Sequence, residues 1–150
     1  MKNGKTIIIL TSSYPYNTEV QEAFLIEEVN SLAKLFSKVI VCPPSKNGTI
    51  SFELPDNVII EELKRELTLK YKLKSVLEIF GSVSLIEIIR GFGKIKGLKD
   101  KLKFSKDALA FRAHSERMCD GLKRTISKHN VDIQNVLGYS YWMNECALAL

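Results

Sequence analysis

Two short runs constrain this chain more than any other feature: KTIIIL at residues 5–10 and KVIVCPP at 38–44. Neither alternates polar with apolar residues. Each therefore reads as a strand buried on both faces, the habit of parallel sheets covered by helices. The second run is closed by Pro43 and Pro44, which cannot continue a ladder. Between the runs the spacing predicts a helix over about 22–36. Leu25, Val29, Leu32 and Phe36 make one apolar face. Glu22, Glu27 and Glu28 lie early and Lys34 late, as the helix dipole favours. Strand, helix and strand in this order make a βαβ unit with a right-handed crossover.

Further along, VII at 58–60 is a third strand and residues 136–140 centre a fourth. Residues 63–104 are helical in character and broken by Gly81, Gly91, Gly93 and Gly97, so two or three helices are expected. Ser105 is the expected N-cap of a helix running to about His129. The fold class is α/β: an open, mostly parallel sheet with flanking helices. In such sheets ligands sit at the carboxyl ends of strands. That points to the loop after the first strand and to residues 140–145 after the fourth.

At 150 residues, 45% hydrophobic and 26% charged, the chain is long and apolar enough for one core and too apolar for disorder. Its net charge of +5 is uneven. Residues 63–104 carry eleven Lys/Arg against four Asp/Glu, so the remainder is slightly acidic. A basic segment points to an anionic membrane or a phosphorylated ligand, or is simply a solvated helix face. Cys42, Cys119 and Cys146 are odd in number and widely spaced, which suits thiols used as small apolar groups in a reducing compartment.

Several functions lack their signatures. No GxGxxG follows the first strand, and no GxxxxGK[ST] or GxSxG occurs. His114 and His129 are the only histidines and have no metal-ligand spacing. No cofactor or metal is expected. Aromatics are too sparse in the basic segment for nucleic-acid binding. The N-terminal apolar run is too short for a signal peptide. The stretch 76–92 is short for a span and contains Glu78, Glu87 and Arg90, so a cytoplasmic protein is expected. His114 reads as a helix-surface residue, because Arg112 and His114 point to different faces. Tyr14 and Tyr16 flank Pro15 and either stack on a ligand or cover the sheet edge. Tyr139 reads as core; Tyr141 and Trp142 are open to a ligand role.

One family resemblance emerges. The segment TSSYPYNTEVQEAFLIEEVNSLAKLFSKVIVCPP, residues 11–44, resembles the opening of family 4 glycosyltransferases of the GT-B fold. The matching letters are Tyr14-Pro15, Glu22, Phe24-Leu25, Glu28-Val29, Leu32, Phe36, Lys38-Val39-Ile40-Val41 and Pro43. VLGYSYWMNECALAL, residues 136–150, is similar to a YSYW strand and Ala/Leu-rich helix in one branch of that family. The middle of the chain has no matching motif.

The resemblance implies a Rossmann-like, acceptor-side N-terminal domain, here partial, with a basic helical insert at about 63–104. The donor domain of the family, with its Glu-x7-Glu motif, is absent from the 150 residues. Ser12, Ser13, Tyr14, Tyr16, Ser140, Tyr141 and Trp142 would then line the acceptor side of a cleft. The implied reaction is metal-independent, retaining transfer of a sugar from a nucleotide-sugar donor to a glycan or lipid-linked acceptor in polysaccharide biosynthesis. Peripheral contact with an anionic inner membrane face would fit a lipid-linked acceptor. No catalytic residue is assigned. The histidine of the family's RxHG segment has no counterpart in His114, and the first loop is not glycine-rich, so donor-phosphate contact from that loop is in doubt. The helix begun after residue 142 has no stop signal, so the working enzyme is expected to be longer and these residues inactive alone. The alternative is a free-standing α/β ligand-binding or interaction domain without catalysis.

Overall fold

The computed structural model describes residues 3–16, 24–64, 66–71, 73–74, 91, 93–95 and 97–140. Both β-branched runs form strands, β1 (Asn3–Leu10) and β2 (Phe36–Cys42), with α1 (Leu25–Leu35) between them. β1 and β2 pair in parallel, Ile7 beside Val39 and Leu10 beside Cys42. β3 (Val58–Ile60) adds to the far side of β2, Val58 beside Val39. β4 (Val136–Ser140) adds to the other side of β1, Leu10 beside Ser140. Among the described residues the sheet is four-stranded, all parallel and open, in the order β3-β2-β1-β4. The expected α/β class stands at this level.

Period-two alternation divides the core into two layers. Ile7, Ile9, Val39 and Val41 face Leu25, Val29 and Ala33 of α1, with Val58 and Tyr139 packed alongside. Ile8, Leu10, Ile40 and Cys42 face the opposite way, against Met118 and Leu122 of the second helix, α2 (Leu98–Lys128). Ile9 and Val39 to Val41 are wholly excluded from water. Burial at this level contributes about 1.5–3 kcal/mol per large aliphatic side chain. This accounts for runs with no polar interruption: covered on both faces, they have no solvent side. Tyr139, beside Ile9, is half-buried and packs against this core.

Two boundaries differ from expectation. Phe36 opens β2 instead of closing α1, with no loop between the two elements. The abrupt change is held by Asn57, whose side-chain amide donates to the carbonyls of Ala33 and Phe36, each at 3.0 Å. The expected start of α1 at Glu22 lies outside the described residues. Ser105 is not a cap. It lies within α2, and its hydroxyl donates to the carbonyl of Lys101 at 3.0 Å, one turn back. A helical serine satisfied in this way has no need to end the helix. The break falls at Gly97, whose φ of 104° suits glycine and strains other residues.

α2 stops where expected, for a clear reason. Asn130 takes a left-handed φ of 48°. Its N–H donates to the Ser127 carbonyl and that of Val131 to the Ile126 carbonyl. These two bonds form a Schellman ending. Val131 then buries against Leu122 and the sheet. Asp132 accepts from the Gln134 N–H at 3.0 Å and so starts a short 3-10 turn (Ile133–Asn135) that leads into β4. Within the basic stretch, residues 69–71, 73–74, 91, 93 and 94 are helical; residues 75–90 lie outside the described set. Tyr71 ties this stretch to α2 through a bond from its hydroxyl to Asp120 at 3.1 Å. Lys74 does the same through Glu116 at 2.8 Å.

Candidate functional site at the carboxyl ends of the strands

The strand order reverses between β1 and β4: the chain builds outward from β1 through β2 to β3, then returns to β1's other side. Loops diverge at such a point and leave a crevice beyond the carboxyl ends, the usual ligand position in open α/β sheets. The pairing of Leu10 with Ser140 puts the loop at 11–16 and the end of β4 side by side there. Residues 120 and more apart in sequence are thereby neighbours.

The loop is shaped by its own hydrogen bonds. The Thr11 N–H extends the ladder to the Cys42 carbonyl at 3.4 Å. The buried Thr11 hydroxyl donates to the Tyr14 carbonyl at 2.9 Å, and the Tyr16 N–H donates to the Ser13 carbonyl at 3.0 Å. The Tyr14-Pro15 peptide is cis. Within this turn the two tyrosines separate. Tyr14 is 4% exposed and belongs to the core on the α1 side, its ring stacked on Phe52 with centroids 5.7 Å apart. Burial pushes its phenol up to about 12. Tyr14 thus packs in the core, the second of the two roles open to it. Tyr16 is half-buried, and desolvation and then the nearby Glu62 carboxylate raise its phenol above the ordinary value. Ser12 is exposed, and Ser13 and Ser140 are half-buried. Of the seven candidates, Ser12, Ser13, Tyr16 and Ser140 share the edge, and Tyr141 and Trp142 lie outside the described residues.

The structure adds a group that the motif search passed over. β3 ends at Ile60, and Glu61 and Glu62 follow. The Glu61 N–H donates to the Val41 carbonyl at 2.9 Å and the Leu63 N–H to the Pro43 carbonyl at 2.8 Å, so the chain continues alongside β2. One carboxylate oxygen of Glu61 meets Lys128 Nζ at 2.6 Å and His129 Nε2 at 2.7 Å. Burial acts to raise the Glu61 carboxyl, but these two partners outweigh it and hold the carboxyl below its ordinary value. Lys38 Nζ donates to the His129 carbonyl at 3.0 Å, which fixes the end of α2 against β2. The strand-end rule, applied to the third strand as well as the first and fourth, would have pointed to Glu61 and Glu62.

His114 is half-buried, not a surface residue, and its Nδ1 is buried without a hydrogen-bond partner among the described residues. Cys42 is a core thiol, raised to about 12 by burial and then by Glu61. Cys42 and Cys119 are both free. Among the described residues no group of three or more His, Cys, Asp or Glu is placed to hold a metal ion, and no helix is long and apolar enough to cross a membrane. No protein-family model matches the sequence, and neither the curated proteins nor the solved structures contain a match to it.

Proposed function

We propose that the chain is the acceptor-side part of the N-terminal domain of a family 4, GT-B glycosyltransferase. The support is the resemblance of residues 11–44 and 136–150, together with one structural observation that carries it furthest. The two resembling segments, remote in sequence, meet at the β1/β4 reversal, with Leu10 beside Ser140. The order β3-β2-β1-β4 is also that of one side of a Rossmann-like sheet. In this reading Ser12, Ser13, Tyr16 and Ser140, with Tyr141 and Trp142, position an acceptor hydroxyl. Tyr16 offers a flat apolar face to a sugar ring. Positioning is a large part of such catalysis, since the reacting hydroxyl must be held in line with the donor. A second domain of the same enzyme would bind the nucleotide sugar and stabilise the leaving diphosphate. The working location is the cytoplasmic face of a membrane holding a lipid-linked acceptor.

The test begins with the reading frame. Translation through codon 150 should continue into RxHG and Glu-x7-Glu segments, and a stop codon there would sink the proposal. In the enzyme so defined, Tyr16→Ala should raise the acceptor KM about tenfold or more while the donor KM stays within about twofold. An equal effect on both would place Tyr16 outside the acceptor site. The alternative, a free-standing ligand-binding domain, is favoured by one observation: α1 and α2 already cover both faces of β1 and β2. A stop codon with a monomeric, cooperatively folding product would establish it.

A further inference from the structure

We propose that the groove between residues 61–64 and the C-terminal half of α2 binds a small phosphorylated ligand of the phosphate monoester class. The groove has a volume of about 330 Å³, within the range of small-ligand sites. It lies against the edge strand β3, on the α2 face, and is separate from the β1/β4 reversal. It does not depend on the glycosyltransferase reading.

Its lining is cationic. Lys64 enters from the segment after β3, and Arg117, Arg124 and Lys128 from α2, spaced along about three turns. Two carboxylates, Glu61 and Glu62, also line it. Glu61 is already occupied by Lys128 and His129. The lining therefore holds two cations in excess, which matches a phosphate monoester of about −1.5 to −2 at neutral pH. A monocarboxylate would leave one of the two uncompensated.

Arg117 shows that the cationic wall is prepared in advance. Its Nη1 donates to the Tyr71 hydroxyl at 3.3 Å and its guanidinium stacks on the Tyr71 ring, 5.2 Å from the centroid. Tyr71 is in turn held by Asp120. The guanidinium plane is thus fixed. Its Nε–H, however, is buried with no acceptor among the described residues. Arg117 also lines the groove, and a phosphate oxygen is the strongest small acceptor for a guanidinium. Thr125, 5% exposed, adds a hydroxyl to the wall. Gly121 lets Leu63 pack directly on the helix at the floor: a Cβ there would stand 2.7 Å from Leu63 Cδ2.

The test is a titration of the full chain at constant ionic strength, followed by the NMR resonance of the Arg117 Nε–H. The probes are glycerol 3-phosphate, inorganic phosphate and succinate. Glycerol 3-phosphate should shift that resonance saturably and bind more tightly than succinate. Arg124→Gln, at an exposed position on the groove wall, should weaken it about tenfold. Lys123→Gln, exposed and next in sequence but not in the lining, should leave it unchanged. The proposal fails if no saturable shift is seen, or if both variants weaken binding equally. It fails also if succinate matches the ester, or if inorganic phosphate alone binds.

Discussion

Glu61 gathers Lys128 and His129 on a single carboxylate oxygen, and that arrangement ties stability to pH. Its carboxyl titrates below the ordinary value of 4.5, so the unfolded chain takes up the proton first as pH falls. The stabilisation is therefore complete above about 4.5 and is lost as pH falls through the lower, folded value. Asp132, lowered by the Gln134 N–H and then by Asn135, acts in the same direction. Glu61→Gln should cost about 1–2 kcal/mol near neutrality and flatten the acid limb of the stability profile. Urea unfolding midpoints measured down the acid range would show it, and a slope as steep as that of the parent chain would assign acid sensitivity elsewhere. None of this was legible in the residues alone. Glu61 lies more than sixty positions from Lys128 and His129, and only the continuation of β3 past Ile60 brings it to them. The role of Tyr14 stays open in the sequence for a related reason. A tyrosine beside a proline after a strand looks the same in sequence whether its ring turns outward or inward. The bond from Thr11 to the Tyr14 carbonyl and the stack on Phe52 show that it turns inward.

Among the elements, α1 depends on a residue far from it. Helix C-termini leave carbonyls unpaired, and here no loop residues intervene to satisfy them. Asn57, just before β3, supplies the donors for the Ala33 and Phe36 carbonyls with one amide group. Asn57→Ala should cost about 1–2 kcal/mol and speed hydrogen exchange in the last turn of α1 more than in β1. Equal acceleration in both elements would mean that the bond stabilises the sheet as a whole. The strands were legible because their apolar runs have no other use: Ile7 to Leu10 and Val39 to Cys42 are needed on both faces. The boundaries were less so. Phe36 fits the helical period, yet its backbone is extended because β2 needs a residue level with Asn3. Ser105 has the chemistry of a cap, but a hydroxyl that bonds one turn back serves a helix interior equally well.

At the scale of the whole molecule, charge and shape divide it into a buried sheet and a basic periphery. Leu69 and Leu73, and at the far end of α2 Leu98 and Leu102, are exposed among Lys70, Lys99, Lys101 and Lys103. Apolar side chains set among lysines favour an anionic lipid surface, at about 1 kcal/mol for each lysine near it. The chain should co-sediment with phosphatidylserine vesicles at low salt, bind neutral vesicles less, and lose half or more of its binding on Leu98→Glu. Equal binding to both kinds of vesicle would remove the electrostatic contribution. The pairing of β1 with β4 has a further consequence, in time. β1 is synthesised well before its second partner, which begins at Val136. At about 5–20 residues per second, roughly 6–25 s pass before that partner is synthesised. Through this interval β1, β2 and α1 can close one layer, while the other flank of Ile7 to Leu10 stays open to any extended strand, including that of a neighbouring nascent chain. Slower translation between codons 44 and 136 lengthens that exposure, so yield of the native sheet depends on the pace of synthesis as well as on the stability of the finished fold.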